Sequence, residues 1–403
     1  MFANRQLTAV VCARFVSLTG TNLTTVALPW FVLVTTGSTA RMGIVLACQT
    51  LPAVVLGIPA GQLVARIGPR RSLVLGDALR APLLAAVPIL HAAGALSFPL
   101  LLVLVTTIGL FSVPYASAAS ALLPDLVGEN ENEVARATAA LQVAIQTTGV
   151  LGPILAGALI PLVGAANVLL VDAVSYGLSA TIVAVFVHAG KARPAAARVR
   201  GLFVGLTQIR RDSLLLAILA TATAAHVALA GLFASLPALA YDGYHDPRTA
   251  GVLFAADAIG SVVGGLAVLA LARRVRPLVL GVVGFAAMAA PLWLLVQTTS
   301  LPVAVVSLFV FGVGGPLGVA PISAILTTRA PAAIRPQVVA TFLSVSSAGT
   351  PLGAVLAGYA IEQVGFRATY VGVAAVMTFS TLLLLRCVRT LQRAAAIPAT
   401  SPS

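Results

Sequence analysis

Gly61-Gln-Leu-Val-Ala-Arg-Ile-Gly-Pro-Arg-Arg71 is the stretch on which the fold turns. It gathers Arg66, Arg70 and Arg71 next to Gly61, Gly68 and Pro69, between an apolar run at 42–64 and another at 73–91. A membrane-crossing helix needs about 20 mainly apolar residues. A short basic turn between two runs of that length is what joins two spans on the cytoplasmic face of a bilayer.

The whole chain agrees with this reading. Of 403 residues 59% are hydrophobic and only 9% charged, with a mean hydropathy of +1.05. Soluble domains carry about 25% charged residues and slightly under half apolar ones. A soluble enzyme or binding module is excluded, and the apolar excess must face lipid. The net charge of +13 comes from 24 Lys+Arg against 11 Asp+Glu. In a membrane chain such an excess marks topology, so no nucleic-acid partner is expected. Cys12, Cys48 and Cys387 lie in or beside apolar runs and form no metal or redox spacing. The first apolar run carries Arg14 and is followed by further spans, so it reads as a retained helix and not a cleaved signal.

Apolar runs separated by Gly, Pro or charges fall at 7–34, 42–64, 73–91, 98–118, 137–160, 167–187, 213–240, 249–271, 278–297, 301–326, 338–362 and 368–388. They are long and continuous, which excludes the alternating strands of a barrel. With both termini in the cytoplasm, nineteen of the 24 basic residues fall inside, and only Arg41, Arg248 and Arg367 fall outside. Arg14 and Arg80 lie within helices. The halves repeat in order. Leu28-Pro29 returns at Leu236-Pro237, Leu73–Gly76 at Leu278–Gly281, Ser120–Leu123 at Ser323–Leu326, and Gly152–Gly157 at Gly353–Gly358. Parallel six-span repeats are a transporter design that holds substrate between the halves. The expected fold is an all-α membrane protein of twelve transmembrane helices in two six-helix pseudo-symmetric lobes. The expected divisions are 1–188 for the amino-terminal lobe, 189–212 for a cytoplasmic linker, 213–390 for the carboxyl-terminal lobe and 391–403 for a tail.

Gly61, Leu63, Arg66, Gly68 and Arg70 match the signature G-x-L-a-D-R-x-G-R-[KR] after the second span. On these residues the chain resembles the major facilitator superfamily. Pro69 stands where the signature has its second Arg, with Arg71 close by, and Ala65 stands where it has Asp. In the superfamily that Asp helps latch the cytoplasmic gate, so the resemblance implies a gate of Gly61, Arg66, Arg70 and Arg71, with Asp77 and Arg80 supplying the missing part. The alternative for these arginines is topology anchoring alone. In the fifth span, Gly149, Gly152, Pro153 and Gly157 resemble the superfamily's antiporter motif, with Ala156 replacing one glycine. Glycine lets helices approach closely and proline bends one; ordinary packing is the alternative. Ala27–Ser38, the Asp77-to-Arg80 step, Leu123–Val127, Asp172–Tyr176 and Gly205–Leu215 look most like the drug:proton antiporter group that includes macrolide and siderophore exporters.

Polar residues inside membrane helices are costly and mark candidate sites. Arg14, Ser17, Thr21, Asn22 and Thr25 form one stripe along the first span, and Gln142, Gln146, Gly149 and Pro153 another along the fifth. These stripes are expected to line a cavity or to make hydrogen bonds within a lobe. Arg14 is read either as counter-ion to a carboxylate or anionic substrate group, or as a fixed pair inside its lobe. Asp172 is read as structural. A proton-coupled carrier needs a buried group that exchanges its proton with each side in turn. Asp257 is the candidate, with Gly260, Ser261 and Gly264 making a small face that admits water, although Gly260 and Gly264 are also read as plain helix packing. His226 shares the proton if the two helices pack with these faces together; otherwise it is a hydrogen-bonded packing residue, and the alternative for Asp257 is the cap of a buried hydrogen-bond network within its lobe. Trp30 and Tyr241 are read as interfacial belt residues.

No phosphate-binding loop, catalytic triad or metal cluster stands in the sequence. No cofactor is therefore expected, and the chain is not expected to be an enzyme. The leading function is a proton-coupled exporter of amphipathic small molecules, with a small-molecule substrate, the proton and the lipid bilayer as partners. It is expected to be a monomer in the bacterial cytoplasmic membrane. The alternatives are an importer or facilitator of a polar metabolite and, from another class, a non-transporting receptor or scaffold. The first would need several converging charges, and the second a large soluble domain or a tail longer than about 388–403.

Overall fold

The computed structural model describes residues 4–57, 59–128, 131–188, 202–271, 274–297, 300–331 and 334–396. Among these there is helix and no strand. Most of the expected linker, 189–201, and the tail from 397 lie outside the described residues.

The first half comprises α1 (Arg5–Thr36), α2 (Thr39–Leu56), α3 (Pro59–Ile67), α4 (Pro69–Ala92), α5 (Phe98–Ala121), a short α6 (Leu123–Val127), α7 (Glu131–Val163) and α8 (Ala165–Phe186). After α9 (Leu202–Arg211) come α10 (Ser213–Ala238), which ends in a π-helical turn (Leu239–Tyr244), α11 (Pro247–Leu271), α12 (Pro277–Ala289), α13 (Leu292–Gln297), α14 (Leu301–Arg329), α15 (Arg335–Ser347) and α16 (Gly349–Ala396). Eleven stretches are long and apolar enough to cross a membrane. The last of them, 337–387, contains a break at Gly365, whose φ of 78° and ψ of 174° no helix accommodates. Dividing it there gives twelve spans. The second span is α2 with α3, the ninth α12 with α13, and the eleventh α15 with α16 as far as Gly365.

Local chemistry sets the helix ends. Asn4, Ser38, Ser97 and Asp212 accept first-turn N–H groups of α1, α2, α5 and α10. Gly68 precedes α4 with φ 94°, so the basic turn depends on a residue without Cβ. Two of the expected divisions carry helix. Within 189–212, positions 202–211 are helical, with Gly205 of α9 set directly against Gln337 and Thr341 of α15. The last helix runs to Ala396, so the tail is not wholly non-helical.

α1 packs on α7 and α8, and α4 on α5 and α8; in the other half α10 packs on α16, and α14 on α11 and α12. The halves meet mainly where α7 crosses α11 and α2 crosses α16. These contacts gather toward the end opposite the arginine-rich turns, which is the outer end by the positive-inside expectation. There Thr39 Oγ1 donates to the Gly358 carbonyl at 2.9 Å, and Gly43 lies against Ala354 and Gly358. Trp30 and Tyr241 meet edge to face with centroids 5.4 Å apart. Trp30 is buried, so this pair plugs the outer mouth between the lobes and Trp30 is not a lipid-belt residue.

Candidate functional site

Beneath that plug, between the lobes, lie three adjoining compartments of about 200, 300 and 420 Å3 that share Thr25. The first is apolar, lined by Pro29, Leu46, Leu229, Phe233, Phe254 and Ala354 among others. Phe233 and Phe254 stack with centroids 5.6 Å apart, and Phe311 of α14 braces Phe233 edge-on from behind. The second holds Asn22, Gln146, Gly149, Pro153, Asp257 and Ser261. The third carries hydroxyls and amides from Thr21, Gln49, Thr50, Ser112 and Thr350, with Arg80 and Tyr176 at its wall. The lining comes from both lobes, and α14 contributes no residue to it.

Asp257 is half-buried on α11, and among the described residues no hydrogen bond or ion pair reaches its carboxylate. A carboxylate held partly out of water without a partner is costly, and a bound proton would relieve that cost. Only part of its expected surroundings lines the compartment. Gly260 and Gly264 abut the α14 backbone at Phe309 and Val313, so they serve helix packing, and Ser261 alone of the three shares the compartment. His226 does not join Asp257 either. Its Nδ1 lies 2.7 Å from the Ala222 carbonyl of its own helix, and its Cβ faces Gly349 of α16.

The stripe on α1 divides in two. Thr21, Asn22 and Thr25 reach the compartments. Arg14 and Ser17 are buried deeper in the first lobe. Ser17 Oγ donates to Asp77 at 3.2 Å, and Asp77 pairs with Arg80. Arg80 sits over the rings of Tyr115 and Tyr176, 4.3 Å from each centroid. Arg14 lies 4.9 Å from the Tyr115 centroid, with its Nε unpartnered. Cation–π stacking of this kind substitutes for water around a guanidinium. The neighbouring carboxylate, Asp172, accepts from Thr24 and from Ser175 at 3.1 Å. Asp77 and Arg80 therefore sit in an intra-lobe network, within the first lobe and away from the basic turn. Gln142 also departs from expectation: it is exposed and lies outside the compartments.

At the basic turn, Arg70 donates to the carbonyls of Ala184 (2.7 Å) and Val187, the inner end of α8 in its own lobe. That position suits a cation at a helix carboxyl terminus. Arg66 and Arg71 are exposed. Gly61 has open space around it, so its lack of a side chain is not required by packing. Gly152 admits Asn22 of α1, and Gly157 and Pro153 lie against Gly251 of α11. The antiporter-like segment is thus part of the contact between the lobes, and Gly149 opens onto the compartment of Asp257. Gln49, Phe254 and Tyr176 were not among the expected site residues. Phe254 precedes Asp257 by one helical turn, which places both on one face.

A family model described as Major Facilitator Superfamily matches residues 10–335 and again 247–401. The chain belongs to the Major Facilitator Superfamily. It is a multi-pass membrane transporter of that fold. It is 27% identical over 387 residues to the multidrug efflux pump Tap of Mycobacterium tuberculosis, covering 94% of this chain and 92% of that one. It is 26% identical over 374 residues to the pump of the same name from Mycolicibacterium fortuitum, covering 90% and 91%. A crystal structure of a bacterial homologue of the human lysosomal transporter Spinster, inward-facing and unoccupied, superposes with a TM-score of 0.74 at 14% identity, covering 96% and 97%.

Proposed function

We propose that this superfamily member is a secondary active exporter of amphipathic small molecules, drugs or natural products, driven by proton antiport with alternating access. It would work as a monomer in the bacterial cytoplasmic membrane with both termini in the cytoplasm. One observation carries the reading: one inter-lobe compartment sets a stacked aromatic wall, Phe233 on Phe254, beside the unpartnered carboxylate of Asp257. The aromatic wall suits the apolar body of a substrate. The carboxylate suits exchange of one proton for it. With the cavity open inward, substrate entry displaces the proton from Asp257 to the cytoplasm. With it open outward, a proton from outside returns to Asp257 and the substrate leaves. Two relatives named multidrug efflux pumps, each similar over nine-tenths of its length, support the direction.

The apolar lining weighs against an importer of a polar metabolite, which would need converging charges. Inverted vesicles given a fluorescent amphipathic dye in the surrounding medium test the proposal. Uptake should follow an imposed pH gradient and collapse when the gradient is dissipated. Asp257→Asn should abolish gradient-driven uptake and keep dye binding. Gradient-driven uptake at the unaltered rate in that variant removes Asp257 as the coupling group.

A further inference from the structure

We propose that Glu362 is the latch of the outer gate: its carboxylate caps the amino terminus of α2 from the opposite lobe and holds the outer face shut. Glu362 Oε2 accepts from Ser38 Oγ at 2.6 Å and from the Ala40 backbone N–H at 2.9 Å. Ser38 is the residue that caps α2 from within, taking the Arg41 N–H at 3.1 Å. The carboxylate therefore completes a cap whose other half belongs to the first lobe. The first N–H groups of a helix lack internal partners and carry partial positive charge, so an anion is stabilised there.

Three features make this contact a gate and not a fold-forming one. It joins α16 to α2, which belong to different lobes, so it exists only while the outer ends are together. It sits beside the tightest approach of those helices, where Thr39 hydrogen-bonds Gly358 and Gly43 meets Gly358. Glu362 is exposed and Ser38 half-buried at the very start of α2, so neither is needed inside a lobe's core. Arg41 is the charged neighbour on α2; its guanidinium stacks on Phe98 of α5 in its own lobe, 5.4 Å from the centroid. The Glu362 carboxyl is the group of this contact that a proton from outside would reach. That carboxyl faces the outer solution. A proton arriving from outside would neutralise the cap and favour opening on the side from which it came.

The inference rests on the alternating-access reading. Its test measures opening directly and needs neither substrate nor coupling. Cys12, Cys48 and Cys387 are replaced by alanine, Ala258→Cys places a thiol on the compartment of Asp257, and a membrane-impermeant maleimide is added outside intact cells. Glu362→Gln should raise outside labelling by roughly 3- to 10-fold, the effect of losing one charged helix cap, with no change in Tm. The Ser38 and Ala40 hydrogen bonds hold the Glu362 carboxyl below its usual range; in outside-out proteoliposomes the labelling of the Gln variant relative to Glu362 at the same pH should therefore fall toward one as the external pH drops through that lowered range, the common loss of thiolate cancelling in the ratio. Equal labelling of the two at every pH overturns the latch. No outside labelling in either, with labelling from inside in inverted vesicles, overturns alternating access itself.

Discussion

Among single residues, the buried Asp77–Arg80 pair has the strongest consequence. Removing one member of a buried pair leaves an uncompensated charge and costs about 3–5 kcal/mol. Asp77→Asn should therefore lower Tm and yield of folded protein, because Arg80 remains between Tyr115 and Tyr176. The double variant Asp77→Asn/Arg80→Gln should recover part of the loss, and a thermal double-mutant cycle measures how much. Were Asp77 a gate residue, its variant would transport poorly with an unaltered Tm. The sequence marks Asp77, Arg80 and Arg14 as costly groups in membrane helices. Their partners Tyr115 and Tyr176 come from α5 and α8, and no spacing along the chain announces that meeting. The same limit explains His226: its helix position was legible, but the rotation that turns it toward α16 and away from Asp257 is set by packing.

Helix ends and crossings carry the next level. Asp212 caps α10 and pairs with Arg329 at the inner end of α14, at 2.7 Å. Partial burial alone would raise its pKa; the Arg329 hydrogen bond and the α10 amides outweigh it and hold the carboxyl below its usual range. The stabilisation is thus complete above the ordinary carboxylate range and is lost as pH falls through the lowered value. Asp212→Ala should cost about 1 kcal/mol near neutral pH. The Tm gap to the unaltered protein should narrow at acidic pH, as differential scanning fluorimetry in detergent would record. At the crossing of α7 and α11, Gly251→Leu should wedge Pro153 and Gly157 apart. It should then increase outside labelling at Ala258→Cys while leaving each lobe folded. Repeated glycines in the sequence signal that helices cross closely, yet not which ones. Gly157 and Gly251 serve the gap between lobes, whereas Gly260 and Gly264 serve α14 inside one.

At the scale of the whole molecule, twelve spans place both chain ends on the arginine-rich face. Thr328→Cys, exposed at the inner end of α14, should react with an impermeant maleimide only in inverted vesicles. Ala95→Cys, exposed between α4 and α5, should react only in intact cells. The reverse pattern would invert the topology and with it the assignment of the closed face as outer. Span number and the duplicated halves were legible because continuous apolar length and recurring turn chemistry are local signals. The closed outer mouth was not. It depends on how two rigid lobes tilt against each other, and Glu362 acquires its role only in that arrangement.

The Trp30–Tyr241 plug also makes the protein its own optical gauge. The chain has two tryptophans. Trp293 is 41% exposed on the far side of the second lobe, and Trp30 is 7% exposed at the junction. With Trp293→Phe, all indole emission would arise at the outer mouth. Parting of the lobes would wet that single indole and move its emission to longer wavelength, so the open fraction could be followed in real time without attaching a dye.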